Sequence, residues 1–222
     1  MKQILAQDHK RQQASADLIP SAVLLPLYYK QGQYHLLFTK RTETVRVHKG
    51  QISFPGGVYE EDDGTLLNTA LRECQEEIGL ISEDIEVLGA LDSEPTVTTS
   101  YLISPFVAHI PFPYHFRINR HEIDEIIEIP VSQFIESGFS LSTTMSAHGK
   151  SAITYIYRYQ DRVIWGATAR ILHRFVTVFT RAMAIENKDT ENTSGPDNNL
   201  NQREHNLSGE YFSRNRHNSP GQ

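Results

Sequence analysis

Residues 72–80 read RECQEEIGL, and no other stretch restricts the fold as much. Glu73, Glu76 and Glu77 fall within five residues. Spacings of three and four set Glu73 beside both of the others on one helix face. Like charges so placed repel, so this face must either stay in water or receive positive charge. The stretch continues a helical pattern: Leu66, Leu67, Ala70, Leu71, Cys74 and Ile78 recur at helical spacing over Thr65 to Ile78, and Gly79 supplies a stop. The chain is therefore expected to fold around a helix that buries one face and presents carboxylates on another.

Just upstream lies SFPGG (53–57), an extended segment running into two glycines. Gly56 and Gly57 let the backbone approach a ligand or turn tightly back toward the helix, which could set a backbone carbonyl beside the glutamates. Three carboxylates on one face, with Arg72 adjoining, suit a hard divalent cation held through oxygen ligands. A solvated helix face is the alternative that the bare pattern leaves open.

Around this unit, short apolar runs alternate with helical ones. AVLLPLYY (22–29) and YHLLFTK (34–40) read as strands joined by the turn KQGQ. Further strands are expected at 85–91, 102–110, 126–130, 152–159 and 163–165, with a second long helix from Ala167 to Ile185. The class implied is α/β (α+β), a mixed sheet with helices packed on it. Residues 19–185 form the expected domain, after a polar N-terminal segment (1–18) that forms a short surface helix or stays mobile. Residues 186–222, rich in Asn, Ser, Gly and charge, are expected to be a disordered tail.

Composition excludes several classes. The formal net charge of -6 argues against a general nucleic-acid binder, whose affinity rests on neutralising phosphates. No apolar run approaches a membrane span and the start lacks a secretory signal, so no membrane partner is expected and the cytoplasm is the expected location. The single cysteine, Cys74, forms no internal disulfide and is expected to be a small buried residue. Trp165 is expected to anchor the core.

GGVYEEDDGTLLNTALRECQEEIGL resembles the Nudix box, the loop-helix-loop motif of diphosphate hydrolases. Arg72, Glu73, Cys74, Glu76, Glu77, Gly79 and Leu80 match its ending position by position. Counted back from Arg72, the motif's acidic position falls on Gly64 and its glycine on Val58. One extra loop residue restores Gly57 and offers Asp63 as the acid. A second segment, LLFTKRTETVRVHKGQISFPGG (36–57), is similar to the element preceding the box in coenzyme A diphosphatases, through Thr39, Arg41, Arg46, Gly50 and Phe54-Pro55-Gly56-Gly57; Thr42 stands where a smaller residue is usual. Segments 94–110, 122–134 and 159–172 also resemble that branch.

The resemblance implies a Nudix fold, a mixed sheet sandwiched between helices. It also implies hydrolysis of the diphosphate of coenzyme A or its acyl derivatives, with Mg²⁺ or Mn²⁺ as cofactor. Glu73 and Glu77 are the expected metal ligands, Glu76 a third ligand or the base, and Gly56 a ligand through its carbonyl. Glu122 or Glu125 could also reach the site. Arg72 directly precedes Glu73 and is expected to point away from the metal face, toward an acid such as Asp63. Arg41, Arg46 and Lys49 are candidates for the extra phosphate of coenzyme A, because arginine suits bidentate phosphate contacts. Two alternatives stand beside this: the same hydrolysis of ADP-ribose, NADH or a nucleoside triphosphate, and a ligand sensor that has lost hydrolysis.

Overall fold

The computed structural model describes residues 1, 2, 5, 17–43, 50–96, 99–145 and 151–193, the side chains of 144, 145, 151, 152 and 186–193 excepted. Two strands with nearly continuous apolar runs form the centre, β1 (Ile19–Lys30) and β2 (Gln33–Arg41). Such runs belong to strands buried on both faces. Gln31 and Gly32, both at positive φ, make the two-residue turn between them, as the KQGQ stretch foretold.

The remaining strands are β3 (Ile52–Ser53), β4 (Gly56–Val58), β5 (Glu86–Ala90), β6 (Glu94–Pro95), β7 (Tyr101–His109), β8 (Ile123–Pro130), β9 (Ser140–Met145), β10 (Ser151–Tyr159) and β11 (Arg162–Ile164). The α-helices are α1 (Leu66–Ile78), α2 (Val131–Glu136) and α3 (Gly166–Thr193). The large sheet runs β3-β2-β1-β7-β5, with β4 on β1, β6 on β7 and β8 on β2; β1 and β7 are parallel, so the sheet is mixed. A small sheet, β11-β10-β9, completes the fold.

Alternation along the central strands divides the core in two. Ala22, Leu24, Tyr28 and Leu37 face Ala70, Cys74 and Ile78 of α1. Leu25, Leu27, Leu36 and Phe38 face the other way, in a cluster with Leu172, Phe175 and Phe179 of α3. The expected α+β architecture, a mixed sheet between helices, is thus present. Cys74 is fully buried on the inner face of α1. Among the described residues no helix is long and apolar enough to cross a membrane.

Several features differ from the sequence reading. β9 and α2 were not expected: SLSTTM carries little apolar signal and VSQFIE is under two turns long. α3 continues to Thr193, past the expected end at Ile185 and past the compositional boundary at 186, since adding residues to an existing helix costs little. Leu5, inside the polar N-terminal stretch, is completely buried in the α3-side core. Trp165 is no core anchor: it is 47% exposed. Its neighbour Ile164 is fully buried, and strand alternation turns the next side chain outward.

Candidate functional site

Local chemistry fixes α1 at both ends. The Thr65 side chain accepts from the Asn68 N–H, and Gly79, in the left-handed conformation (φ 69), closes the helix with its N–H on the Gln75 carbonyl. The segment leading to β8 straps the last turn. The Arg117 N–H donates to the Ile78 carbonyl and the Asn119 N–H to the Glu77 carbonyl, each at 2.8 Å, satisfying helix-end acceptors. That strap also delivers Glu122 to the same end of the sheet as the Arg41 end of β2, since Thr42 N–H bonds the Glu122 carbonyl.

The two glycines have different tasks. Gly56 pairs with Val23 across β4 and β1 at φ 152, and a Cβ there would lie 2.2 Å from the Ala22 carbonyl oxygen. Its N–H points to the helix instead, donating to Glu77 Oε2 at 3.3 Å. Gly57 makes room for a carboxylate: a Cβ on it would lie 2.3 Å from Glu73 Oε1. The sequence therefore brings Glu73 and Glu77, one helical turn apart, against the glycine strand.

One arginine approaches each member of that pair, Arg41 at Glu77 and Arg72 at Glu73. Glu77 is only 3% exposed, and its charged neighbours are Arg41, with Nη1 3.6 Å from Oε1, and the carboxylates of Glu73 and Glu122. Burial, reinforced by those two carboxylates, pushes the Glu77 pKa up to about 8, although Arg41 and the Gly56 N–H oppose the shift. Glu73 is raised as well, again chiefly by burial. Arg41 spans the cluster, its Nη2 lying 3.9 Å from Glu122 Oε2, and its buried Nε has no hydrogen-bond partner among the described residues.

Asp63 and Arg72 form the rigid corner of the site. Arg72 Nε donates to Asp63 Oδ1 at 2.7 Å and Nη2 to Oδ2 at 3.2 Å, while Asp63 Oδ2 also accepts from the Glu60 N–H and the Thr69 hydroxyl. The Arg72 guanidinium and these donors hold the Asp63 carboxyl well below the usual range. Arg72 Nη2 reaches the Val58 carbonyl too, tying β4 to the helix. The Asp63 pairing agrees with the sequence reading, but Arg72 does not turn away from the glutamates: Nη1 lies 3.0 Å from Glu73 Oε1 and 3.1 Å from Glu76 Oε2. Its branched fork serves the loop acid and the helix face together.

The remaining candidates separate. Glu76 is exposed beside Arg72 rather than against the glycines. Glu125 is engaged elsewhere, 2.5 Å from Arg162 of β11, so of the two downstream acids only Glu122 joins the cluster. Arg46 and Lys49 lie outside the described residues. Thr69 is the residue that sequence reasoning missed; a hydroxyl on the buried face of the helix, one turn before Arg72, was the available signal. Among the described residues no three His, Cys, Asp or Glu side chains are already gathered closely enough to hold a metal ion.

A family model, the NUDIX domain, matches residues 18–141. The chain belongs to the Nudix family. It is 36% identical over 154 residues to the uncharacterized Nudix hydrolase NudL of Photorhabdus laumondii, covering 69% of this chain and 81% of that protein. With a NudL of Klebsiella pneumoniae it shares 34% over 152 residues, 68% of this chain and 78% of the relative. A solved MutT/nudix family protein from Enterococcus faecalis superposes with a TM-score of 0.48 at 13% identity, covering 79% of this chain and 66% of the other.

As a Nudix hydrolase the chain is a diphosphatase of small-molecule nucleotide substrates, in a family that generally needs divalent metal ions. The residues fit such an ion. Glu77 is a buried oxygen donor that burial alone would keep protonated near neutrality, and a divalent cation favours its charged form. Glu73 supplies a second carboxylate in the space that Gly57 leaves.

Proposed function

We propose that this Nudix hydrolase cleaves the diphosphate of coenzyme A or its acyl derivatives, releasing adenosine 3′,5′-bisphosphate and 4′-phosphopantetheine or its acylated form. The observation that carries the reading is Arg41. It belongs to the segment (36–57) that resembles coenzyme A diphosphatases, and its guanidinium stands 3.6 Å from Glu77. A cation there is suited to a phosphate oxygen of a substrate whose diphosphate lies against the glutamates.

Mg²⁺ or Mn²⁺, when bound, neutralises phosphate charge and lowers the pKa of water at the site. Glu73 and Glu77 would hold the ion, with the Gly56 carbonyl as a further oxygen ligand. The Asp63–Arg72 pair fixes the start of the helix face, so that both carboxylates keep one geometry against β4. Two open carboxylates flank the pair, Glu76 and Glu122, and one of them takes the proton of the attacking water. Arg41, with Arg46 and Lys49, binds and orients the phosphates, the 3′-phosphate included.

A panel of coenzyme A, acetyl-coenzyme A, dephospho-coenzyme A, ADP-ribose, NADH and nucleoside triphosphates, assayed with Mg²⁺ or Mn²⁺ and with products identified, tests the reading. Preference for coenzyme A compounds with the 3′-phosphate is expected. Preference for a substrate without that phosphate would move the assignment to another Nudix diphosphatase. Absence of turnover on the whole panel, with ligand still bound, would favour a sensor.

A further inference from the structure

Contacts running from Glu77 to Glu122 and back close a ring. The Asn119 N–H donates to the Glu77 carbonyl at 2.8 Å, and the Asn119 carbonyl accepts from the N–H groups of Glu122 at 3.1 Å and Ile123 at 2.9 Å. The Glu122 carbonyl in turn accepts from the N–H of Thr42 at 2.9 Å, one residue past Arg41. The Arg41 guanidinium returns to the start, 3.9 Å from Glu122 Oε2 and 3.6 Å from Glu77 Oε1. A single residue, Asn119, thus ties the main chain of the buried carboxylate to that of the open one.

The Asn119 side chain holds the turn within this ring. Its Oδ1 accepts from the His121 N–H at 3.2 Å, the bond to the residue two positions on that sets an asparagine turn. The Thr42 hydroxyl fastens the far side, donating to the His121 carbonyl at 3.3 Å. The strands beyond are adjusted to the same end. Lys40 pairs with Glu125 but Arg41 with Ile123, so Asp124 is the extra residue of a bulge in β8. A bulge re-aims the side chains beside it. Regular pairing would have set Ile123 opposite Thr42; the bulge brings Glu122 there instead.

We propose that Asn119 is a positioning residue for diphosphate hydrolysis: its side chain holds the turn that sets Glu122 against Arg41 and Glu77. It acts through Glu122, whose side chain is 46% exposed, so packing does little to fix that carboxylate and the main chain decides its place. Without the Oδ1 acceptor, residues 119–122 gain freedom, and the spacing between the two glutamates that Arg41 spans is no longer held. The inference commits Glu122, of the two open carboxylates, to a part in turnover. It rests on the carboxylate cluster and not on which diphosphate is cleaved.

Steady-state kinetics of the full chain test this, with saturating Mg²⁺ and whichever compound of the panel is turned over fastest. Asn119→Ala should lower kcat about tenfold and leave KM within about threefold, the scale of one lost hydrogen bond. Asn119→Ser keeps an oxygen acceptor without adding charge and should hold kcat within about threefold of the parent. Amide exchange at His121 and Glu122 should quicken in the alanine variant and not in the serine variant, which reads the turn without any substrate. Once Glu122 is changed to Gln, adding Asn119→Ala should cost no more than about twofold, because two changes that act through one group do not add. Circular dichroism checks that each variant folds. A full tenfold loss on top of Glu122→Gln would make Asn119 a general support of the fold and overturn the proposal. Parental kcat in Asn119→Ala or in Glu122→Gln, or unaltered exchange at His121, would overturn it equally.

Discussion

Gly57 and Glu73 occupy each other's space: a Cβ added to Gly57 would lie 2.3 Å from Glu73 Oε1 and 2.4 Å from its Cδ. The glycine is thus the floor on which the Glu73 carboxylate rests. Gly57→Ala should leave the fold nearly intact, because the obstruction meets the end of a side chain and not the backbone. Glu73 must then swing away from Glu77. Turnover is expected to fall about ten- to a hundredfold, the range seen when groups that orient a metal ligand are disturbed. Titration calorimetry with Mn²⁺ should show the matching loss of affinity while the thermal transition barely moves. Unchanged Mn²⁺ affinity would separate the glycine from the ligand.

Much of this corner was legible in the sequence because its parts are local. Helical period, the Gly79 stop and the Asp63–Arg72 pair all lie within seventeen residues (63–79), where spacing determines who meets whom. Glu122 could be named but not placed, since its proximity to Arg41 depends on a strap that crosses the end of α1. Leu5 was lost for a related reason: one leucine in a polar run has no period, and only the completed core shows its seat. Trp165 misled because size suggested burial, whereas its side is set by the parity of β11.

Metal-free stability should fall with rising pH, and Glu77 gives the sign. Its folded pKa of about 8 lies above the ordinary value of 4.5. Between those values the folded chain keeps a proton that the unfolded chain has released, so stability declines across that window and levels off above it. Glu77→Gln removes the titrating group. With chelator present, its urea stability should change less between pH 6 and pH 8 than that of the unsubstituted chain, by an amount on the order of a few kcal/mol. Identical slopes in the two proteins would show that Glu77 is not the group responsible.

The Asp63 carboxyl works in the opposite sense. Arg72 holds it below its ordinary value of 3.8, so its contribution is complete above that value and is lost as pH falls through the lower folded one. Asp63→Asn keeps the size but loses the charge, leaving an amide against the guanidinium. Near neutral pH it should cost about 2–4 kcal/mol, as breaking a largely buried pair does, and urea denaturation measures it. Arg72, released from the loop acid, would then shift further onto Glu73 and Glu76, which its Nη1 already meets, so Mn²⁺ affinity should drop as well. A variant as stable as the parent would remove the pair from the account of the fold.

The glutamates themselves should separate into two behaviours. Glu73→Gln and Glu77→Gln each lose a buried or half-buried oxygen donor beside the glycine strand, and each should lower turnover at least about a hundredfold together with Mn²⁺ affinity. Glu76 and Glu122 are more exposed, and the one that takes the water proton should behave differently when changed to Gln: Mn²⁺ binding within about threefold of the parent, turnover down about a hundred- to ten-thousandfold, and the acidic limb of the pH–rate profile flattened. Its counterpart should retain most of its activity. Measuring kcat against pH for both variants assigns the base. If neither substitution touches the acidic limb while Glu73→Gln alone abolishes it, the proton acceptor is Glu73 itself and the metal rests chiefly on Glu77.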